Sequence, residues 1–214
     1  LDSTNIITPE LSIITNISFD HMNLLGNTLA KIAFEKAGII KHKVPVVIGE
    51  ADGEVKEVFE NKAKDENAPI LFAQEQHAVT LSDKKISGQQ LFDCNNIKNL
   101  SVGLLGIYQK KNVPTVLTGI DVLNSKGFNI TEDNIRSGFE NVIKLTGLMG
   151  RWQILQENPT IICDIGHNEA GITYVVEQLK TLKYNRLHIV FGVVNDKDVN
   201  KILSLLPKHA TYYF

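Results

Sequence analysis

The alternation of short β-branched runs with longer segments of helical period most constrains what this chain can fold into. Ile13-Ile14-Thr15-Asn16-Ile17, Val46-Val47-Ile48 and Ile70-Leu71-Phe72 are too short for helices and read as buried strands. Between them, Thr28 to Ala37 and Gly53 to Asn67 read as helices, the second with Val55, Val58 and Phe59 on one face. Gly38 is well placed as the C′ residue of the first helix. The order βαβαβ predicts an α/β fold with a parallel sheet.

The middle of the chain departs from this pattern. Val79-Thr80-Leu81, Gln90-Leu91-Phe92 and Leu100-Ser101-Val102 are separated by Asp, Gly and Asn and predict an antiparallel meander. Two helices follow. Val113 to Leu123 is apolar, and the next starts at Thr131 as N-cap with Ile135, Phe139 and Val142 at helical spacing. Thr146-Gly147-Leu148-Met149-Gly150 predicts a hinge. Beyond it the alternation restarts with a strand at Thr160 to Cys163 and a helix at Glu169 to Leu182. Leu187 to Phe191, Asp198 to Leu206 and Thr211 to Phe214 then predict strand, helix and strand, one βαβαβ half of a doubly wound sheet. The chain starts at Leu1 without a Met and stops on Tyr212-Tyr213-Phe214, so we expect it to be cut at both ends of a larger protein.

Composition excludes some classes of function. A formal charge of -2 gives no electrostatic case for nucleic acid or an anionic membrane surface. No apolar run approaches the roughly 18 residues of a membrane span, and the polar Leu1 to Asn5 lacks the apolar stretch of a signal peptide. Cys94 and Cys163 lie far apart with no CxxC or zinc spacing, as expected of reduced thiols in a cytoplasmic protein.

Several residues could carry chemistry, each with a plainer alternative. Leu29, Ile32, Ala33 and Lys36 fall at i, i+3, i+4 and i+7, which places Lys36 on the buried stripe of its helix. Such a lysine either snorkels to solvent or is held close to a phosphate or metal. His21, just before that helix, is either a hydrogen-bonding group or a metal ligand. Asp164-Ile165-Gly166-His167-Asn168 sits where a strand hands over to a helix, the edge at which open α/β sheets bind ligands. Its carboxylate, imidazole and amide could meet ribose, metal or an acidic substrate. Alternatively, the segment is a turn with Asn168 as an Asx-type cap. Arg151 is either a phosphate contact or a surface arginine. Asn112 would otherwise be a cap for the helix after it, and Gly192 with Asp196-Lys197-Asp198 would be a plain βα turn.

Together these segments carry a resemblance. The order Leu-Asp-Ser-Thr-Asn, Asp-His, Glu-Lys-Ala-Gly-Ile, Tyr-Gln…Asn, Gly-Arg, Asp-x-x-His-Asn and Phe-Gly…Asp-Lys-Asp resembles the folylpolyglutamate synthase and dihydrofolate synthase family, a branch of the Mur ligases. The resemblance implies the remainder of a Mur-ligase-type central ATPase domain over 1–148, a hinge at 149–151 and a partial Rossmann-like C-terminal domain over 152–214. It implies ATP and Mg²⁺ as cofactors, and folate or dihydropteroate with L-glutamate as substrates, in a monomer. By this resemblance Leu1, Asp2 and Ser3 hold the pteridine-bearing substrate and His21 is a Mg²⁺ ligand. Lys36 becomes carbamylated. Asn112, Arg151 and Asp164 contact nucleotide, and His167 pairs with Asp164 in turnover. The contribution of Asp164 and His167 is expected in the closed complex rather than in folding.

The chain also departs from the family. The usual Asp-Gly-Ala-His-Asn-Pro has Ile165, Gly166 and Glu169 at its varying positions, and the usual Pro-Gly-Arg is Met149-Gly150-Arg151. No G-x-x-x-x-G-K-[ST] phosphate loop occurs in these residues, so the 214-residue chain by itself is expected to be inactive. The implied activity is an ATP-dependent ligase that adds L-glutamate through an acyl phosphate. The alternatives are another Mur-type amino-acid ligase and a non-catalytic nucleotide- or partner-binding protein.

Overall fold

The computed structural model of the chain describes residues 3–19, 25–82, 89–95, 97–193 and 199–214. After a 3-10 turn at Ser3–Ile6, strands β1 (Ser12–Ile14), β2 (Val46–Ile48) and β3 (Ile70–Phe72) form a parallel sheet in the order β1-β2-β3. The all-apolar Val46-Val47-Ile48 takes the central position and is buried on both faces, as a parallel strand between two covered faces must be. At the edge, β1 buries Ser12 and Ile14 and exposes Ile13.

Helices α1 (Leu29–Ala37) and α2 (Gly53–Asp65) cover one face of this sheet. Thr28 caps α1 through its hydroxyl, which accepts the Lys31 N–H at 3.2 Å. Phe59, Ala33, Ala37, Val46, Ile48 and Phe72 form the centre of the shared core. Gly38 differs from its expected role. It is right-handed, with φ -57°, so the helix ends in an ordinary turn that needs no left-handed residue.

The short helix α3 (Ala73–Gln76) leads to the antiparallel meander β4 (Val79–Leu81), β5 (Gln90–Cys94) and β6 (Ile97–Val102). Helix α4 (Gln109–Ser125) joins the two sheets. Its Val113 and Leu117 pack with Phe92, Cys94, Leu100 and Val102 of the meander, while Val122 packs with Val47 and Ala73 on the second face of the parallel sheet. Helix α4 begins four residues earlier than its apolar run suggests, so Asn112 lies inside it and is not its cap. Helix α5 (Glu132–Glu140) opens with the expected Thr131 cap, here a complete capping box with Asn134. Val142 falls in a separate short helix, α6 (Val142–Thr146).

The hinge region carries left-handed glycines at Gly147 and Gly150, both at φ 69°. After it comes an antiparallel hairpin of β7 (Gln153–Glu157) and β8 (Thr160–Cys163). Helix α7 (Glu169–Leu179), β9 (His188–Val190), α8 (Val199–Leu205) and β10 (Thr211–Tyr213) follow, with β9 and β10 parallel. Ile172, Ile202 and Leu206 form their core with Val176, Phe191 and Tyr212. The simple βαβαβ expectation is corrected in one respect. Among the described residues β8 pairs with β7, while β9 and β10 form their own two-stranded sheet. No described helix is long and apolar enough to cross a membrane.

Candidate functional site

Two turns meet where the segments before and after the hinge touch. The first is Gly150-Arg151-Trp152. Gly150 is buried at φ 69°, and a Cβ there would lie 2.6 Å from the Ile165 side chain, so only glycine fits. Trp152 is also left-handed, at φ 49°, a costly conformation for a bulky residue.

The second turn, Asp164-Ile165-Gly166, holds the first in place. Ile165 N–H donates to Gly150 O at 3.0 Å. Asp164 Oδ2 accepts the Trp152 N–H at 2.7 Å, and Asp164 Oδ1 accepts the Gly166 N–H at 2.7 Å. The Trp152 conformation is therefore secured by a charge-assisted bond, with the indole itself buried. Beside it, half-buried Arg151 borders a cleft of about 400 Å³ that is also lined by Gly103, Leu105, Ile143 and strand β7.

A third partner reaches Asp164 from before the hinge. The Tyr108 hydroxyl, at the N-cap position of α4, donates to Asp164 Oδ2 at 3.1 Å. Burial first, then the Asp164 charge and this bond, push the Tyr108 phenol well above its ordinary value, so it stays a donor through neutral pH. Asp164 thus accepts three protein donors. A carboxylate has about four lone-pair positions, which leaves room on Oδ1 for one more donor such as a ribose hydroxyl.

Gln178 of α7 clamps the backbone that precedes Tyr108. Its Nε2 donates to Leu105 O at 2.7 Å, and its Oε1 accepts the Ile107 N–H at 2.8 Å. Tyr174, one helical turn earlier on α7, packs its ring against Tyr108 with centroids 6.0 Å apart. Lys111 Nζ lies 5.6 Å from the Tyr174 ring centroid and pairs with Glu50 Oε1 at 3.0 Å.

The remaining candidates fall in three places. Asn112 lies one turn along α4 from Tyr108, and its Nδ2 donates to Gln109 Oε1 at 3.1 Å. His167 is exposed, and its Nδ1 donates to Ile165 O at 3.0 Å, which fixes the ring orientation. Asn168 does act as the α7 cap, accepting the Gly171 N–H at 2.8 Å.

Lys36 corrects the periodicity argument. It is exposed, while Ile32, Ala33 and Ala37 take the buried side of α1. Its Nζ lies 3.4 Å from Asn16 O in the segment that follows β1. By helical angle Lys36 falls between Ile32 and Ala33, but it stands in the last turn of a nine-residue helix and its long side chain reaches out to Asn16 O.

Leu1, Asp2, His21 and the Asp196-Lys197-Asp198 loop lie outside the described residues, and Ser3 begins the 3-10 turn. Among the described residues no three His, Cys, Asp or Glu side chains are grouped to hold a metal.

The structure thus brings Arg151, Asp164 and the α4 helix bearing Asn112 to one junction. Sequence reasoning missed Tyr108 and Gln178 as junction residues. Tyr174 and Gln178, which fall at i and i+4 on one face of their helix, were the available signal.

The chain is also similar to known proteins. Residues 2–118 match the family model for the Mur ligase middle domain, and residues 150–214 match that for the Mur ligase, glutamate ligase domain. The dihydrofolate synthase/folylpolyglutamate synthase of Bacillus subtilis is 31% identical over 219 residues, covering 99% of this chain and 50% of that protein. The Escherichia coli K12 protein of the same description is 30% identical, covering 96% of this chain and 46% of its own. A solved complex of FPGS with AMPPCP and folate superimposes with a TM-score of 0.84 at 29% identity, over 99% of this chain and 52% of that one. E. coli FolC in complex with DHPP and ADP gives 0.80 at 27% identity, over 100% of this chain and 49% of that one. The chain spans about half the length of the curated relatives it matches.

Proposed function

Because the chain belongs to the Mur ligase family, we propose that the protein carrying it is an ATP-dependent ligase that adds L-glutamate to dihydropteroate, folate polyglutamates or both. ATP phosphorylates the acceptor carboxylate. The glutamate amine attacks the acyl phosphate, releasing phosphate and leaving an amide and ADP. The observation that supports this most directly is the junction at which Asp164 is bonded to both the Arg151 turn and the Tyr108 end of α4.

Each residue has a role in this proposal. Arg151 presents a planar, permanently charged guanidinium to phosphate oxygens at the edge of the cleft. Asp164 accepts a ribose hydroxyl on its remaining lone pair, and Asn112 contacts the nucleotide from the middle domain. His167, whose Nδ1 donates to Ile165 O, pairs with Asp164 in turnover. Leu1, Asp2 and Ser3 hold the pteridine-bearing substrate. Domain closure about residues 149–151, between a central part at 1–148 and a ligase part at 152–214, brings these groups together.

Among the described residues no three metal-competent side chains are grouped, and His21 lies outside them. Mg²⁺ held by His21 and a carbamate on Lys36 enters this proposal through the family resemblance alone, as do the cytoplasmic location and the monomeric state. When bound, it would offset phosphate charge.

The test is ADP release by the protein expressed from its full reading frame. The proposal expects release that requires both L-glutamate and a dihydropteroate or folate acceptor. Nucleotide binding without such release would favour the non-catalytic alternative. The 214-residue chain, which has no phosphate loop of its own, is expected to release none.

A further inference from the structure

Three candidate nucleotide contacts lie on separate segments. Asn112 is on α4, Arg151 is in the turn after the hinge, and Asp164 follows β8. Covalent connectivity alone does not hold them in register, because the left-handed Gly147 and Gly150 lie between the first and the other two. One side chain ties them. Tyr108 stands at the N-terminus of α4, one turn from Asn112, and its hydroxyl bonds the same Asp164 oxygen that takes the Trp152 N–H next to Arg151. Gln178 fixes the approach to Tyr108 by bonding Leu105 O and Ile107 N–H, and it is itself buried.

We propose that Tyr108 is a positioning residue for nucleotide binding, which aligns Asp164 and Arg151 with Asn112 across the domain junction. This rests on the nucleotide roles proposed above. Tyr108 need not touch the nucleotide. Its hydroxyl restricts the Asp164 carboxylate so that the free position on Oδ1 and the Arg151 guanidinium face one ligand together. Removing the hydroxyl leaves Asp164 bonded to Trp152 and Gly166 and leaves the Gln178 clamp in place, so the fold of the junction is kept while the carboxylate loses its own link to α4. The effect therefore falls on nucleotide affinity more than on the stability of either part.

The test is a double-mutant cycle of Tyr108→Phe and Asp164→Asn in the protein expressed from its full reading frame. Dissociation constants for AMPPCP are measured by titration calorimetry, with melting temperatures alongside. Tyr184→Phe, which removes a hydroxyl bonded to His209 elsewhere, is the control. One bond to a charged group predicts that Tyr108→Phe weakens AMPPCP about tenfold, with the melting temperature within a few degrees of wild type. In the Asp164→Asn background Tyr108→Phe should weaken binding far less, because the two residues act through one bond. Wild-type affinity in Tyr108→Phe overturns the proposal, as do strictly additive effects. Coupled loss of affinity in a protein that releases no glutamate-dependent ADP would support the inference and contradict the ligase activity. Unchanged affinity in an active ligase would do the reverse.

Discussion

Trp152 N–H donates to Asp164 Oδ2 at 2.7 Å while Trp152 itself sits at φ 49°. The carboxylate thus stabilises a backbone conformation that a tryptophan rarely adopts, directly beside Arg151. This revises the expectation that Asp164 matters only in the closed complex. It also supports the fold, through bonds to Trp152, Gly166 and Tyr108.

Asp164→Ala should accordingly destabilise the protein by about 2 kcal/mol, since it removes three acceptor contacts and leaves a strained turn unsupported. Urea denaturation followed by the emission of Trp152, the one tryptophan in the chain, provides the measurement. A midpoint equal to wild type would show that the turn needs no brace.

Gln178→Leu preserves approximate size and removes both arms of the clamp. Leu105 O and Ile107 N–H then lose their partners at a part-buried junction. A cost of about 2 kcal/mol is expected, together with faster proteolysis between the parts before and after the hinge. Unchanged proteolysis would mean that the junction is held by other contacts.

Much of the fold was legible because its strands are short apolar runs and its helices carry strong periodicity. The uniformly apolar Val46-Val47-Ile48 reads as a buried strand and takes the central position of the sheet. Strand β7 was not legible, because Gln153-Ile154-Leu155-Gln156-Glu157 mixes polar and apolar residues and is largely exposed. The first turn of α4 was hidden by Asn112 and Pro114, which resemble a cap and a breaker but lie within the helix. At the site, the turns that carry Arg151 and Asp164 stood out in the sequence, where the hinge ends and where a strand hands over to a helix. Tyr108 and Gln178 were not, because their partners lie 56 and 71 to 73 residues away. Lys36 was misplaced because periodicity gives the face of a residue and not the reach of a long side chain in the last turn of a helix.

Alkaline pH should weaken the fold in a defined window. Burial, with a smaller effect from Asp93, pushes the Cys94 thiol from the ordinary 9.0 up to about 11. The folded state therefore keeps a proton there that the unfolded chain loses. By linkage this contribution is complete below pH 9 and is lost as the pH rises toward about 11. Tyr108, also raised by burial, acts in the same direction at higher pH. Melting temperatures should fall between pH 9 and 11, and Cys94→Ala should flatten part of that fall. At pH 8.5 the half-buried Cys163 should react with a maleimide before Cys94. Equal alkylation rates would contradict the protected thiol.

Lys36→Ala separates the carbamate proposal from simple packing. Lys36 is exposed, so its removal should leave stability within about 0.5 kcal/mol. If the residue carries a carbamate in the working enzyme, turnover should fall by at least about tenfold, or 1.4 kcal/mol in the barrier. Small carboxylates should then restore part of it. Wild-type turnover would remove Lys36 from the mechanism.

If this junction belongs to a glutamate ligase, the protein carrying it forms a glutamyl amide. The most direct test is to incubate the protein from its full reading frame with ATP, isotopically labelled L-glutamate and dihydropteroate or folate, and to follow the product by mass spectrometry. The account predicts a labelled glutamyl amide that forms only with ATP and is strongly reduced by Arg151→Ala. Nucleotide binding without any labelled amide, across both acceptors, would contradict it.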